Sequence, residues 1–312
     1  MSDYEMMVDA YKDAGGEDVF SDSDVAHLVL ERDEVLGSHL VEGLEVDAEK
    51  IAEDTVRVKV TVRAGYKIEK PVHMCFGVLP KEGRQKIDMQ VQIEKDASVE
   101  VKADCVFPNA VKVEHIMDAV INVEEGGSYI YKEHHFHGDN GGVEVIAKSD
   151  INVGPYGSLV TKFDLLKGRA GRMDFDYEAN LAEHATVDML ARISAMSNDE
   201  VKIRESAHLN GPSARGVLDS KIALKDKAEA EIYNELTANA PQAMGHVDCT
   251  EIIKDNAVAR AIPIVDVRHP EAKVTHEAAI GSVDSTQLQT LMARGLDEEE
   301  ASEVIIQGLL ND

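Results

Sequence analysis

The sequence predicts a mainly β protein: a right-handed parallel β-helix, or solenoid, as core, with N-terminal helices and a C-terminal helical hairpin. Three observations predict it. A turn-like residue and a small one recur ahead of short alternating strands, at Asp96-Ala97-Ser98-Val99, Gly126-Gly127-Ser128-Tyr129, Tyr156-Gly157-Ser158-Leu159, His184-Ala185-Thr186-Val187, Ser213-Ala214-Arg215-Gly216, Lys227-Ala228-Glu229-Ala230, Asn256-Ala257-Val258-Ala259 and Glu271-Ala272-Lys273-Val274. The steps between the small residues are 30, 30, 28, 29, 14, 29 and 15, a period that reads as stacked coils with half-steps. Within the coils apolar residues alternate, as in Val56, Val58, Val60 and Val62, then Ile87, Met89, Val91 and Ile93, which is the period of a strand buried on one face. Helical spacing is confined to the two ends of the chain.

Residues 1–50 form the N-terminal helical region. Tyr4, Met7, Val8 and Tyr11 fall at i, i+3, i+4 and i+7, Gly15-Gly16 ends that stretch, and Ser23 is placed to cap a second helix running to Leu30. Residues 51–283 form the β-helix core. Residues 284–312 return to helix: Leu288, Leu291 and Met292 make a stripe closed by Gly295, and Asp297 with Glu300 starts a helix bearing Ala301, Val304, Ile305 and Leu309. Such a pair is either a simple cap on the solenoid or a docking hairpin for a partner.

The chain has 312 residues and is 44% hydrophobic, enough for a large core, and no apolar run approaches the ~18 residues of a membrane span. Its first residues are acidic and lack the apolar stretch of a secretory leader. Three cysteines at wide spacing make no disulfide framework, so a reducing cytoplasm is the expected compartment. A net charge of −27 argues against a phosphate-backbone partner. Glycine-rich phosphate loops, nucleophile elbows and close cysteine pairs are missing from the sequence, so no nucleotide site is expected on this chain.

Chemistry is therefore sought among Cys, His and carboxylates. Cys75, Cys105 and His135 are each 30 residues apart, so one-coil spacing stacks them about 4.8 Å apart. Cys105 shares the phase of Val99, Val101 and Ala103; such a ladder either packs as small apolar groups or holds a soft metal or persulfide sulfur. Cys249 lies 21 residues after Ala228 and Glu277 lies 20 after Ala257, near-equivalent places on successive coils within reach of one metal. His276 and Glu277 are neighbours and face opposite sides of an unbroken strand. His134, His135 and His137 have the composition of a metal site, but alternation splits them, and a surface histidine patch is the expected reading.

The segment from Gly245 to Asp312 resembles the carboxyl-terminal core of SufB and SufD, the β-helical subunits of the SUF iron–sulfur assembly machine. The residues that carry the likeness are Asp248-Cys249, Ala261-Ile262-Pro263, Ala272 to Ala279, Gln287-Leu288, Arg294-Gly295-Leu296, Glu299-Glu300-Ala301 and Ile305-Ile306-Gln307-Gly308. Pro71 to Gly77 and Cys105 to Ala110 resemble the short archaeal members. The resemblance implies a scaffold, not an enzyme, that carries a transient iron–sulfur cluster. It assigns Cys249 to building the nascent cluster, Glu277 to assisting it, and His276 to the subunit interface. Cys75, Cys105 and His135 become a possible sulfur relay. The hairpin, through Leu288, Leu291, Met292, Val304, Ile305 and Leu309, becomes the dock for a SufC-like ATPase.

Two departures matter. The long amino-terminal region of bacterial SufB is missing, and Glu-Ala-Ala follows His276 where Glu-Ala-Thr is usual. A short form that keeps both His276 and Glu277 implies a homodimer through the β-helix, serving recipient apo-proteins, with no nucleic acid or membrane involved. A β-helical adaptor and a β-helix carbohydrate-active enzyme are the alternative classes.

Overall fold

The computed structural model describes residues 2–311, leaving Met1 and Asp312 outside it. Helix α1 (Asp3–Asp13) precedes two antiparallel hairpins, β1 (His27–Glu31) with β2 (Glu34–His39) and β3 (Leu44–Ala52) with β4 (Thr55–Val62). The solenoid continues through β5 (Val72–Gly77), β6 (Glu82–Ile93), β7 (Ser98–Phe107), β8 (Lys112–Val123), β9 (Ser128–His137), β10 (Val143–Val153) and β11 (Ser158–Leu165). It proceeds through β12 (Arg172–Leu181), β13 (Thr186–Ala195), β14 (Glu200–Leu209), β15 (Arg215–Leu224), β16 (Glu229–Ala238), β17 (Met244–Ile253), β18 (Val258–Val267) and β19 (Lys273–Gly281). Helices α2 (Ser285–Met292) and α3 (Glu298–Leu310) close the chain. None of these helices is long and apolar enough to cross a membrane.

From β4 onward successive strands alternate between two sheets, so each pairs in parallel with the strand two places on. The first sheet runs β19-β17-β15-β13-β11-β9-β7-β5-β1-β2 and the second β18-β16-β14-β12-β10-β8-β6-β4-β3. This is a parallel β-solenoid of about 8 turns. Inner faces read as predicted: Val113, His115, Met117, Ala119, Ile121 and Val123 of β8 all point inward and are buried. A single core of Val, Ile, Leu and Ala fills the space between the sheets.

The recurring residue pairs are the corners. Asp96, Tyr156, His184, Ser213 and Gln242 sit at φ 54–59°, with Gly126 at 68°, each just before a small residue. The small side chain points into the corner, where Ala97, Ala185, Ala214 and Ala243 are almost wholly buried. At the opposite corner Asp226 and Asp255 take positive φ two residues before Ala228 and Ala257, which explains the half-steps. Left-handed geometry disfavours a large residue, yet Tyr156 takes it and stacks on His184 of the next coil at 4.9 Å. A further ladder was not anticipated: Asn152 donates to Asn122, Asn210 to Asn180, and Asn239 to Asn210, at 2.7–3.3 Å.

The ends differ from expectation in one respect. Helix α1 forms with a Ser2–Glu5 capping box and buries Met7 and Tyr11. The second helix predicted from Ser23 to Leu30 does not form. Residues 27–31 are strand β1, pairing with β5. Leu28 and Leu30 enter the solenoid core while Val29 packs outward with Met7, Tyr11 and Cys75. Burial on both faces produces an unbroken apolar run, which periodicity alone does not separate from a helix. The N-terminal region is thus one helix and two hairpins. At the other end Asp284 caps α2, and Asp297 with Glu300 forms the expected capping box on α3. Ile306 and Leu310 pack on Ala223 of β15, and Lys225 and Lys254 pair with Glu303 and Glu299.

Candidate functional site

Parallel pairing decides which of the candidate residues meet. In β17, Cys249 points into the solenoid and is fully buried. Its neighbours in the sheet are Ser220 on β15 and Ala278 on β19. From the facing sheet Asn234 Nδ2 donates to Ser220 Oγ at 3.0 Å and to Cys249 Sγ at 3.6 Å. Burial, and then the Glu251 carboxylate, push the Cys249 thiol up to about 12. At neutral pH it stays protonated until a metal displaces the proton.

Glu277 is not beside it. Its register partner is Asp248, so its side chain lies on the outer face and is exposed. The expected Cys249–Glu277 pairing is off by one residue, and a one-residue slip turns every side chain to the opposite face. His276 is the register partner of Val247, which places it on the inner face with Cys249, diagonally across one rung. It is exposed because β19 is the last strand of its sheet.

The carboxylate on the thiol's own face is Glu251, two residues along β17. It is 1% exposed, both its oxygens lack a partner, and burial raises its carboxyl to about 7. Glu205, in register with Asn234, is raised by burial to about 8. Glu251 was legible as the i+2 neighbour of Cys249; Asn234, Ser220 and Glu205 required the coil register.

The stack of Cys75, Cys105 and His135 forms only in part. Cys105 pairs with His135, as expected. Cys75 pairs with Asp104, while Phe76 takes the place over Cys105. That coil is one residue shorter than the next, so Cys75 faces outward and packs beneath α1 with Met7, Tyr11 and Val106. Burial, and then Asp104, raise its thiol.

Cys105 instead belongs to a second buried centre. Cys105, His115, Glu133 and His135 each offer one ligand atom, and these atoms lie within 4.8 Å of one another. Cys105 Sγ is 3.7 Å from His115 Nε2 and 3.8 Å from Glu133 Oε1, and Glu133 Oε1 is 2.6 Å from His135 Nε2. Burial lowers His115, His135 and His137 to about 3 and raises Glu133. The imidazoles are therefore neutral. The expected surface histidine patch is corrected: His135 and His137 are 0% and 1% exposed, and only His134 turns outward, where it meets Asp104. His115 was missed because it enters from the facing sheet; Glu133 was available as the i−2 neighbour of His135.

Residues 81–309 match the model of the family "SUF system FeS cluster assembly, SufBD core domain". The chain belongs to the SufBD family. It is 38% identical over 273 residues to an iron–sulfur cluster assembly SufBD family protein of Methanocaldococcus jannaschii, covering 88% of this chain and 84% of that one. It is 34% identical over 312 residues to a SufBD family protein of Pyrococcus horikoshii, covering 100% and 95%. Membership places the protein in iron–sulfur cluster assembly as a scaffold-type component. In SufBD terms, Cys249, His276 and Glu251 share an inner face at the end of the solenoid, whereas Cys105 lies five strand spacings deeper, about 24 Å away.

Proposed function

We propose that this SufBD protein builds a labile iron–sulfur cluster, its cargo, at Cys249, across the contact of two copies of the chain and in concert with a SufC-like ATPase. The observation that carries the reading is the placement of Cys249 one rung inside an uncovered solenoid end. Strands β18 and β19 terminate both sheets, and Val258, Val267 and Ile280 are 56%, 47% and 46% exposed there. Unpaired sheet edges with apolar side chains are templates for pairing with another strand. An isologous contact brings two Cys249 and two His276 residues together, and with Glu251 they make a mixed thiolate, imidazole and carboxylate set. A set poorer in thiolate than four cysteines suits a cluster that has to leave.

Glu277 faces outward on the same edge strand, a position from which it meets the second copy and not its own Cys249. The hairpin supports the ATPase reading. Helix α3 buries Ile306 and Leu310 against the solenoid, while Met292 and Val304 are 42% and 50% exposed and Leu288, Leu291, Ile305 and Leu309 are part-buried. Leu291, Val304, Ile305 and Leu309 line one groove between α2 and α3. ATP-driven closure of two docked ATPases would then move the hairpins and rearrange the rungs they pack on.

The test is Cys249→Ser. After anaerobic reconstitution the variant is expected to lose bound iron and acid-labile sulfide while keeping its circular dichroism and its ATPase binding. Iron and sulfide contents equal to those of the unaltered protein reject the assignment.

A further inference from the structure

We propose that Cys105, His115, Glu133 and His135 form a second metal site, holding one divalent first-row transition-metal ion inside the solenoid and separate from the cluster-building centre. It stands whether or not Cys249 carries a cluster. The four side chains come from three strands, β7, β8 and β9, on both sheets, so the strand pairing positions them rather than a mobile loop.

The hydrogen bonds fix which atoms point inward. Arg169 O accepts only, so His137 Nδ1, at 2.9 Å from it, carries the proton and donates. His137 Nε2 is then an acceptor, and His135 Nδ1, 3.1 Å away, donates to it. His135 Nε2 is left with a free lone pair aimed at Glu133 Oε1, which supplies the proton of that 2.6 Å contact. The tautomers follow from the network. A backbone carbonyl relayed through a second imidazole is the arrangement that orients a metal-bound histidine and raises its basicity.

The edges from Cys105 match a small tetrahedral ion. Bond lengths of about 2.0–2.3 Å put ligand atoms about 3.3–3.8 Å apart. Two observed edges, Cys105 Sγ to His115 Nε2 at 3.7 Å and Cys105 Sγ to Glu133 Oε1 at 3.8 Å, already have that length. The short edge, Glu133 to His135, is bridged by a proton that the ion replaces, together with the Cys105 thiol proton; both protons leave to solvent. His115 Nδ1 is buried and has no hydrogen-bond partner. Phe107 and Phe163 pack on the rings, with Phe107 5.1 Å from His115 and Phe163 4.8 Å from His135, so the centre is walled by apolar groups.

One thiolate, two imidazoles and one carboxylate suit zinc(II) or iron(II) over calcium or magnesium, which prefer oxygen alone. Because the site is closed, the ion is expected to enter during folding.

The experiment is refolding of the full chain from denaturant, under reducing anaerobic conditions, with one equivalent of cobalt(II) as optical probe. The expected result is one cobalt per chain, with the intense visible bands of tetrahedral coordination and a near-ultraviolet thiolate-to-cobalt band. Both should persist in Cys249→Ser, and the thiolate band should vanish when Cys105→Ser is added to that variant. His137→Phe is the second variant: it keeps every ligand and should weaken binding by about 10–100-fold with the thiolate band retained. Displacement by zinc(II) or iron(II) then ranks the two ions. Failure of the unaltered protein to bind stoichiometric cobalt overturns the proposal. So does a thiolate band that survives Cys105→Ser in the Cys249→Ser background or disappears in Cys249→Ser alone, or an affinity unmoved by His137→Phe.

Discussion

The two cysteine centres are built from the same materials and differ in where they sit along the solenoid. Cys105 is in mid-stack, with Phe76 over it on one side, His135 on the other, and Phe107 beside it on the same face. Cys249 is equally buried, yet only one strand, β19, stands between its coil and the end of the sheet, and that strand's inner residues His276 and Ala278 are exposed. A closed cage retains what it binds; a centre behind one terminal rung can exchange. The proposed function places the cargo at the open end for that reason.

The largest expected effect is on stability. Phe107→Ala removes a wall of the closed centre and should cost about 3–5 kcal/mol, whereas Ile280→Ala on the terminal strand should stay within about 0.5 kcal/mol. Equilibrium denaturation of both variants measures this. Similar losses at the two positions would mean that the terminal rung is covered in solution, by a second copy or by another chain.

The next effect is a pH slope that arises at the open end. Glu251 and Glu205 keep their protons in the folded protein up to about 7 and about 8, while an unfolded glutamate loses its proton near ~4.3. Between those limits the folded state holds more protons, so stability falls as pH rises, by up to about 1.4 kcal/mol per pH unit for each group. Glu251→Gln should remove one share of the decline below about pH 7, and Glu205→Gln should remove a share that extends to about pH 8. Unfolding midpoints from pH 5 to pH 8, on the order of the range set by these groups, give the answer; an unchanged slope in both variants would show that the two carboxyls are hydrated.

The smallest effect concerns access. All three cysteines are buried in the folded chain, so alkylation reports local opening. Cys249, behind a terminal rung, should react roughly tenfold faster than Cys105 or Cys75, because sub-global openings at an end lie well below global unfolding in free energy. Peptide mass spectrometry after native-state labelling reads the order. Equal rates at all three would make the stack unfold as one unit.

Coil period, corner residues, inner faces and the capping box of α3 were all legible in the sequence, because each is set within a few residues: a left-handed turn, a small side chain behind it, alternation at period two. The same locality explains the errors. The run from Leu28 to Leu30 is apolar on both faces, and only the presence of α1 on one side and the solenoid on the other makes it a strand. The asparagine ladder escaped notice for a related reason: Asn122, Asn152, Asn180, Asn210 and Asn239 become a series only once the coils are aligned.

What the sequence by itself determined is that the chain winds, roughly where each coil turns, and that its chemistry rests on three thiols with nearby imidazoles and carboxylates. Which of those groups meet was decided by tertiary structure alone. Coil length varies by one or two residues, and in a strand one residue is the difference between the core and the surface. That step moves Cys75 away from Cys105 and sends Glu277 to the outer face, away from Cys249. His115 reaches Cys105 from the facing sheet, a contact that spacing along one strand cannot encode because it depends on how two sheets close over a shared interior.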